Sequence, residues 1–341
     1  MLPRDIVRQA IRFEHPPRLP VMMDSLGISD TAWLSVAPGV DFAPSVQGQD
    51  IWGCVWAQTD VSNMGQVVQH PLEDITKLDK HPLPDYTDDT RYLGCEKELQ
   101  EAEQQGKYVL GGIFMVLFER MHALHGFENT LADLYLDRPA MEDLADRIVD
   151  VHVEYVQEVS RRFPGRVHGW NVTDDWGTQQ AAFISYDFWM DFFCPRYKRI
   201  FDAMHQAKSH VWVHSCGKIN EIIEGYIEAG VDVLNLQQPR ALGIEQIGRR
   251  YKGRIAFESL ADIQATLPTG DRQRIERDAQ QLMTCWAGPD GGFIFSDYGD
   301  DQALGITDDT VKLFMYQTFS SWSEKVYGSP LPPLGHPSDA G

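Results

Sequence analysis

Positive charge is what this sequence lacks most: 30 Lys and Arg stand against 50 Asp and Glu in 341 residues, for a net charge of −20. Phosphate backbones and anionic membrane surfaces are gripped by clustered basic side chains, so neither nucleic acid nor membrane is an expected partner. Long apolar runs are missing too. No stretch of about 18 such residues exists, and the N-terminus has no basic region followed by an apolar run, so a cytoplasmic protein is expected. Cysteine is sparse, with five residues (Cys54, Cys95, Cys194, Cys216, Cys285) in odd number and wide scatter. That is no disulfide framework, and a cysteine with a special role should be metal-bound or reactive. No Gly-x-Gly-x-x-Gly follows an early apolar run, which weakens the case for a doubly wound dinucleotide fold. Internal repeats and low-complexity blocks are absent.

What is present is a hydrophobic content of 43%, enough to bury one large core, although length alone would also allow two domains. Pro3 to Phe13 reads as a short amphipathic helix, and Arg18 to Asp24 as a strand ending in a carboxylate. From about Ile51 to Leu83 turn residues and aromatics prevail, with no clean period. Further on, short apolar runs alternate with helix-length amphipathic stretches, the pattern of βα units on a parallel sheet. The runs are Tyr108–Phe114, Val167–Val172, His210–His214, Val231–Leu236, Arg254–Phe257 and Gly292–Phe295. Helices are expected near Thr130–Leu136, Ala140–Arg162, Tyr186–Gln206, Ile219–Ala229, Ile244–Arg250, Asp271–Trp286 and Thr307–Tyr327. Seven strands, with an eighth hidden in the irregular region, predict an α/β fold: a (β/α)8 TIM-type barrel with a loop-rich insertion after the first strand. The barrel should span 1–327, followed by a loose tail, 328–341, rich in Pro, Gly and Ser.

Barrel enzymes gather their chemistry at the carboxyl ends of the strands. The residues closing the apolar runs are Asp24, Asp174-Asp175, His214 with Cys216, Glu258, and the run Ser296 to Asp301. Strand side chains alternate, so Trp212, His214 and Cys216 share one face while Val211 and Val213 take the other. An imidazole and a thiol on one face suit a borderline-soft ion such as Zn²⁺; the bland alternative is a core histidine beside a small buried thiol. Gly217 then allows a sharp turn. The Asp174-Asp175 pair suits acid–base work or substrate orientation, or else is a turn in which an Asp caps the next helix. Gln179 is a candidate donor to a bound ligand. Trp176 and Trp212 form either a floor for a flat substrate or plain core. Glu258 is a ligand, an orienter of His214, or a surface acid. His70, His81, His122 and His125 carry no spacing signal and are assigned to structure.

Taken together, Asp174 to Gln179, Phe192 to Asp202, His214-Ser215-Cys216-Gly217 and Glu228 to Asn235 resemble the uroporphyrinogen decarboxylase superfamily. The chain is closer to its corrinoid-linked methyltransferases than to its haem-pathway decarboxylases. The decarboxylases carry Arg-Gln-Ala-Gly-Arg after the first strand and a late-strand His. Here Val21 to Gly27 and Phe295 to Asp300 contain neither. The resemblance implies a methyltransferase with His214 and Cys216 as zinc ligands. The third ligand of that branch is often a Cys after the late strand, where Gly299 stands here, so Glu258, Asp297 or Asp300 is expected to supply an oxygen instead, with Tyr298 a weaker candidate. The implied reaction moves a methyl group between the cobalt of a partner corrinoid protein and a small thiol or methylated substrate, in a direction left open. Asp174, Asp175 and Gln179 are the expected catalytic residues, and Asp24, Trp176, Trp212 and Tyr298 the expected substrate contacts. A homodimer is also implied. The rivals are metal-free decarboxylation of a smaller carboxylate by Asp24 and Asp175, and a non-catalytic corrinoid-binding barrel.

Overall fold

The computed structural model describes residues 1–58, 65–308 and 310–334. Its strands are β1 (Val21–Met23), β2 (Ile28–Ser29), β3 (Thr31–Leu34), β4 (Val55–Ala57), β5 (Gln66–Gln69), β6 (Tyr108–Ile113), β7 (Gly169–Thr173), β8 (His210–His214), β9 (Val233–Asn235), β10 (Ala256–Ser259) and β11 (Phe293–Ser296). Nine of them form one sheet in the order β2-β1-β11-β10-β9-β8-β7-β6-β3. Every pairing in it is parallel except the short β1–β2 hairpin. The sheet closes through Asp30, whose N–H donates to the Val21 carbonyl at 2.8 Å and whose carbonyl accepts from Tyr108 N–H at 2.9 Å. Its carboxylate accepts from Val21 N–H and is clamped by Arg18, which pins the seam. The architecture is the expected (β/α)8 barrel.

The eighth parallel strand, however, is not in the irregular region. It is β3, upstream, and it shows no apolar run because only Thr31 and Leu34 of Thr-Ala-Trp-Leu are buried. The 51–83 region instead holds the antiparallel β4–β5 pair and a 3₁₀ turn at Ile75–Lys80. Two helices that periodicity missed are Cys95–Gln104 and Phe118–His125. The expected Tyr186–Gln206 helix runs through a π turn at Trp189–Phe193 before continuing as Cys194–Gln206. Its start is capped by Ser185, and that of Arg138–Arg162 by Asp137. Past the last helix, Thr310–Tyr327, Leu331 is buried, its N–H donates to Ser320, and the Ser323 hydroxyl donates to the Ser329 carbonyl. Residues 335–341 of the expected tail lie outside the described residues.

Alternation along β8 is borne out: Val211 and Val213 join the core between sheet and helices, while Trp212 joins a second cluster. That cluster contains Met22, Tyr108, Leu110, Val233, Ala256 and Ile294, with Val7 and Ile11 of the first helix, Pro3–Arg12. Side chains from the strands thus fill the barrel interior, and the amphipathic N-terminal helix plugs its amino end. The carboxyl end is left open. No helix among the described residues is long and apolar enough to cross a membrane.

Three histidines are buried without gaining a cation's environment. Burial pushes His122 down to about 4, His152 to about 3 and His168 to about 4. A base whose folded pKa lies below its unfolded value contributes stability above the unfolded value, near 6.5, and that stability is lost as pH falls toward the folded one. Both ring nitrogens of His152 lack partners. His152→Phe should therefore gain on the parent by up to about 1.4 kcal/mol per pH unit below about pH 6.5. Urea unfolding of both proteins at pH 7.5, 6 and 5 measures this, and a constant difference between them would refute it.

Candidate metal centre at the barrel mouth

Register places Thr173 (β7), His214 (β8), Asn235 (β9) and Glu258 (β10) side by side in one rung across four adjacent strands. All four line a cavity of about 1110 Å³ at the carboxyl ends of the strands. His214 Nε2 lies 3.4 Å from Cys216 Sγ and 3.7 Å from Asp175 Oδ1. One donor atom from each of Asp175, His214 and Cys216 falls within 4.8 Å of the others, the only such His, Cys or acidic group among the described residues. Tetrahedral bonds of 2.0–2.3 Å place neighbouring ligand atoms about 3.3–3.8 Å apart, so the two distances from His214 suit a zinc ion.

The surrounding bonds hold these donors in place. His214 Nδ1 is 2.7 Å from Asn235 Oδ1; an amide oxygen can only accept, so the proton sits on Nδ1 and the Nε2 lone pair faces the site. Cys216 N–H donates to Asp175 Oδ1 at 2.7 Å. Gly217, at φ +79°, packs against Gly177, and an added Cβ would fall 2.1 Å from the Gly177 carbonyl oxygen. A side chain there would separate the Asp175 loop from the Cys216 loop. Burial pushes the Cys216 thiol far above its ordinary range, and the carboxylates of Asp175 and Glu119 push it further. A bound cation reverses that order, because it favours the thiolate outright. An oxygen, nitrogen and sulfur donor set with an oriented imidazole therefore fits zinc.

The carboxylate grouped with His214 and Cys216 is that of Asp175, which the sequence assigns to acid–base work; Glu258, Asp297 and Asp300, expected to supply the oxygen, fall outside that group. Glu258 stays outside the triad, nearly fully buried, with its Oε2 unpartnered and its carboxyl pushed up by burial to about 7. Asp297 pairs with the buried Lys312 at 2.9 Å; the same ammonium holds Asp301 and donates to the Tyr298 carbonyl at 2.7 Å. Asp300 accepts from Ala303 N–H, as a turn residue does. Lys312 is 14 or 15 residues away from Tyr298 and Asp297, so nothing local announces that it neutralises the acidic run.

Asp174 and Asp175 part company. Asp174 is fully buried and accepts from the N–H groups of Leu117, Phe118 and Glu119 at 3.1, 2.8 and 2.7 Å and from the Tyr197 hydroxyl. It caps the helix Phe118–His125 from another strand and does not line the cavity. Burial pushes its carboxyl up, and the Tyr197 hydroxyl and the N–H groups of Glu119 and Phe118 pull it back. Trp176 is core: its ring stacks on Phe118 at 4.2 Å and its N–H donates to Tyr197. Trp212 is also core, in the cluster beneath the cavity. Neither lines the cavity, where both were expected as substrate contacts. Asp24 and Tyr298 do line the cavity. Gln179 is exposed and donates to Gln238 Oε1 at 3.3 Å; Gln238 in turn accepts from Gly217 N–H.

Glu119, Asn235, Trp33 and Phe114 line the cavity as well, and sequence reasoning missed all four. Burial and the charges of Asp175 and Asp174 push Glu119 up. A signal existed for Asn235, since it closes the run Val231–Leu236. For Glu119 there was none, because its helix is set by Asp174. His70, His81 and His125 bond backbone carbonyls, as befits structural residues.

The sequence model of the uroporphyrinogen decarboxylase (URO-D) family matches residues 61–299. No curated protein matches the sequence. Among solved structures, a methyltransferase from Methanosarcina mazei superposes with a TM-score of 0.65 at 12% identity, covering 92% of this chain and 99% of its own. An endo-beta-1,4-mannanase from Thermotoga petrophila reaches a TM-score of 0.42 at 11% identity, over 90% and 77% of the two chains. At these identities the likeness concerns the barrel alone.

Proposed function

The chain belongs to the uroporphyrinogen decarboxylase family, and on that premise we propose that it is a zinc-dependent methyltransferase. It would move a methyl group between the cobalt of a corrinoid protein and a small thiol or methylated substrate. One observation carries the reading: Asp175, His214 and Cys216 meet at the ends of two adjacent strands, within the open mouth of the barrel. These three side chains would hold a zinc ion, which would supply Lewis acidity there to acidify a thiol or polarise a methylated heteroatom. Asn235 fixes the imidazole, and the Cys216 N–H fixes the Asp175 carboxylate. A carboxylate in place of the branch's second thiolate donates less charge, which strengthens that polarisation. Trp33 and Phe114 line the cavity yet remain 44% and 42% exposed, offering apolar faces to a flat macrocycle held by a partner. The Methanosarcina protein of similar fold is a methyltransferase, which supports this reading.

Decarboxylation fits less well. The described residues lining the cavity include Asp24, Glu119, Asp175, Glu258 and Asp297 but no Lys or Arg, so no basic side chain there would hold a substrate carboxylate. The test is zinc analysis together with methyl transfer from methylcobalamin to 2-mercaptoethanol, followed by the cobalt absorbance. About one zinc per chain and turnover abolished by a chelator are expected. A metal-free protein with full activity sinks the proposal; a zinc-loaded protein that transfers no methyl group from any donor leaves a non-catalytic barrel.

A further inference from the structure

The rung that carries His214 ends at Glu258, and there the cavity is left with a carboxylate that has one oxygen unpaired and no Lys or Arg against it. Glu258 is 3% exposed, lines the cavity, and has Oε2 without a hydrogen-bond partner. Burial opposes the charged form of this carboxylate, while on either side of it the buried Ser296 hydroxyl of β11 and the Asn235 amide of β9 stand close enough to favour that form. The other carboxylates of the cavity are accounted for. Asp175 belongs to the triad, Asp297 is paired with Lys312, Glu119 is 3.5 Å from the Thr173 hydroxyl, and Asp24 is exposed to solvent. Among the described residues Glu258 alone combines burial, a free oxygen and the lack of an ion pair.

Leaving a buried acceptor unpaired costs about 1–3 kcal/mol, and more for a charged group, so such groups persist where a ligand completes them. We infer that Glu258 is a binding residue for the substrate, and that the substrate bears a protonated amine or comparable N–H cation. Two facts point to a cation rather than a neutral hydroxyl. Five carboxyl groups and no Lys or Arg line the cavity among the described residues, and field lines converge in a low-dielectric cleft of one sign. A carboxylate also makes roughly twice as strong a bond to a charged donor as neutral groups make to each other. Asn235 stands between Glu258 and His214 on the rung, so the cationic head would be seated beside the metal-binding face, with the reacting end toward His214 and Cys216. The inference rests on reading this cavity as the substrate site, as proposed above, but not on methyl transfer itself.

The test uses the full zinc-treated chain and three probes of one shape: benzylamine, benzyl alcohol and benzoate, measured by calorimetry. Benzylamine is expected to bind at least about tenfold more tightly than benzyl alcohol, and benzoate not at all. Glu258→Gln keeps the shape and is expected to bring benzylamine to the level of the alcohol while the alcohol's affinity stays unchanged and the melting temperature does not fall. Equal affinities in the unsubstituted protein overturn the inference without recourse to any variant. An amine preference that survives Glu258→Gln overturns it as well, since the amine is then held elsewhere, for instance at the metal. The probes contain neither thiol nor methyl group. Loss of methyl transfer with the amine preference intact therefore removes the proposed function alone, and the converse removes this inference alone.

Discussion

Cys216→Ala is expected to leave a folded protein that binds zinc more than about 100-fold more weakly, with methyl transfer lost in step. The magnitude follows from a comparison. Removing a group that merely orients a ligand costs about 10–100-fold in metal affinity, and removing the ligand itself costs more. Asn235→Ala should fall inside that lower range, because it frees the His214 ring without deleting a donor. Asp175→Ala should resemble Cys216→Ala, whereas Glu258→Gln and Asp300→Asn should retain zinc. This series decides which oxygen completes the set. Zinc affinity by competition with a chelating dye is the measurement, and full zinc retention in Asp175→Ala would refute the triad. Folding should survive in Cys216→Ala because the residue is only partly buried and the Gly177–Gly217 backbone contact is untouched.

Asp174→Ala is expected to cost the most stability of any single carboxylate change, about 3–5 kcal/mol. The carboxylate serves three backbone N–H groups at the start of the helix Phe118–His125 and the buried Tyr197 hydroxyl. Alanine would leave four donors without acceptors in a region closed to water. Against a total stability of 5–15 kcal/mol that is a large fraction. Asp174→Asn keeps one oxygen and should lose less. Because Asp175 is the next residue, the change should also weaken zinc binding without touching a ligand. Urea unfolding monitored by the stacked Trp176 reports the first effect. A loss under about 1 kcal/mol in Asp174→Ala would show that the helix start does not depend on this cap.

Several features were legible because they are local. Short apolar runs alternating with amphipathic helices mark βα units, and six of the eight parallel strands coincide with such runs downstream of residue 100. The period of two along β8 put His214 and Cys216 on one face, and His-Ser-Cys-Gly then carried the family resemblance. The short β3 escaped because it buries too little to form a run, and the helix Phe118–His125 because its start is held by a side chain 55 residues away.

The sequence by itself determined the barrel and put His214 and Cys216 on one face at the end of a strand, since each follows from alternation and spacing along one segment. Only the tertiary structure decided between neighbours of the same chemistry. Asp174 turned inward to cap a helix while Asp175 turned to the triad; Lys312 took Asp297, and Glu258 was left buried with one oxygen unpaired. All are carboxylates at strand ends, so their type and position are alike in sequence. What separates them is which donor or cation the fold brings within bonding distance, and those partners come from segments far along the chain.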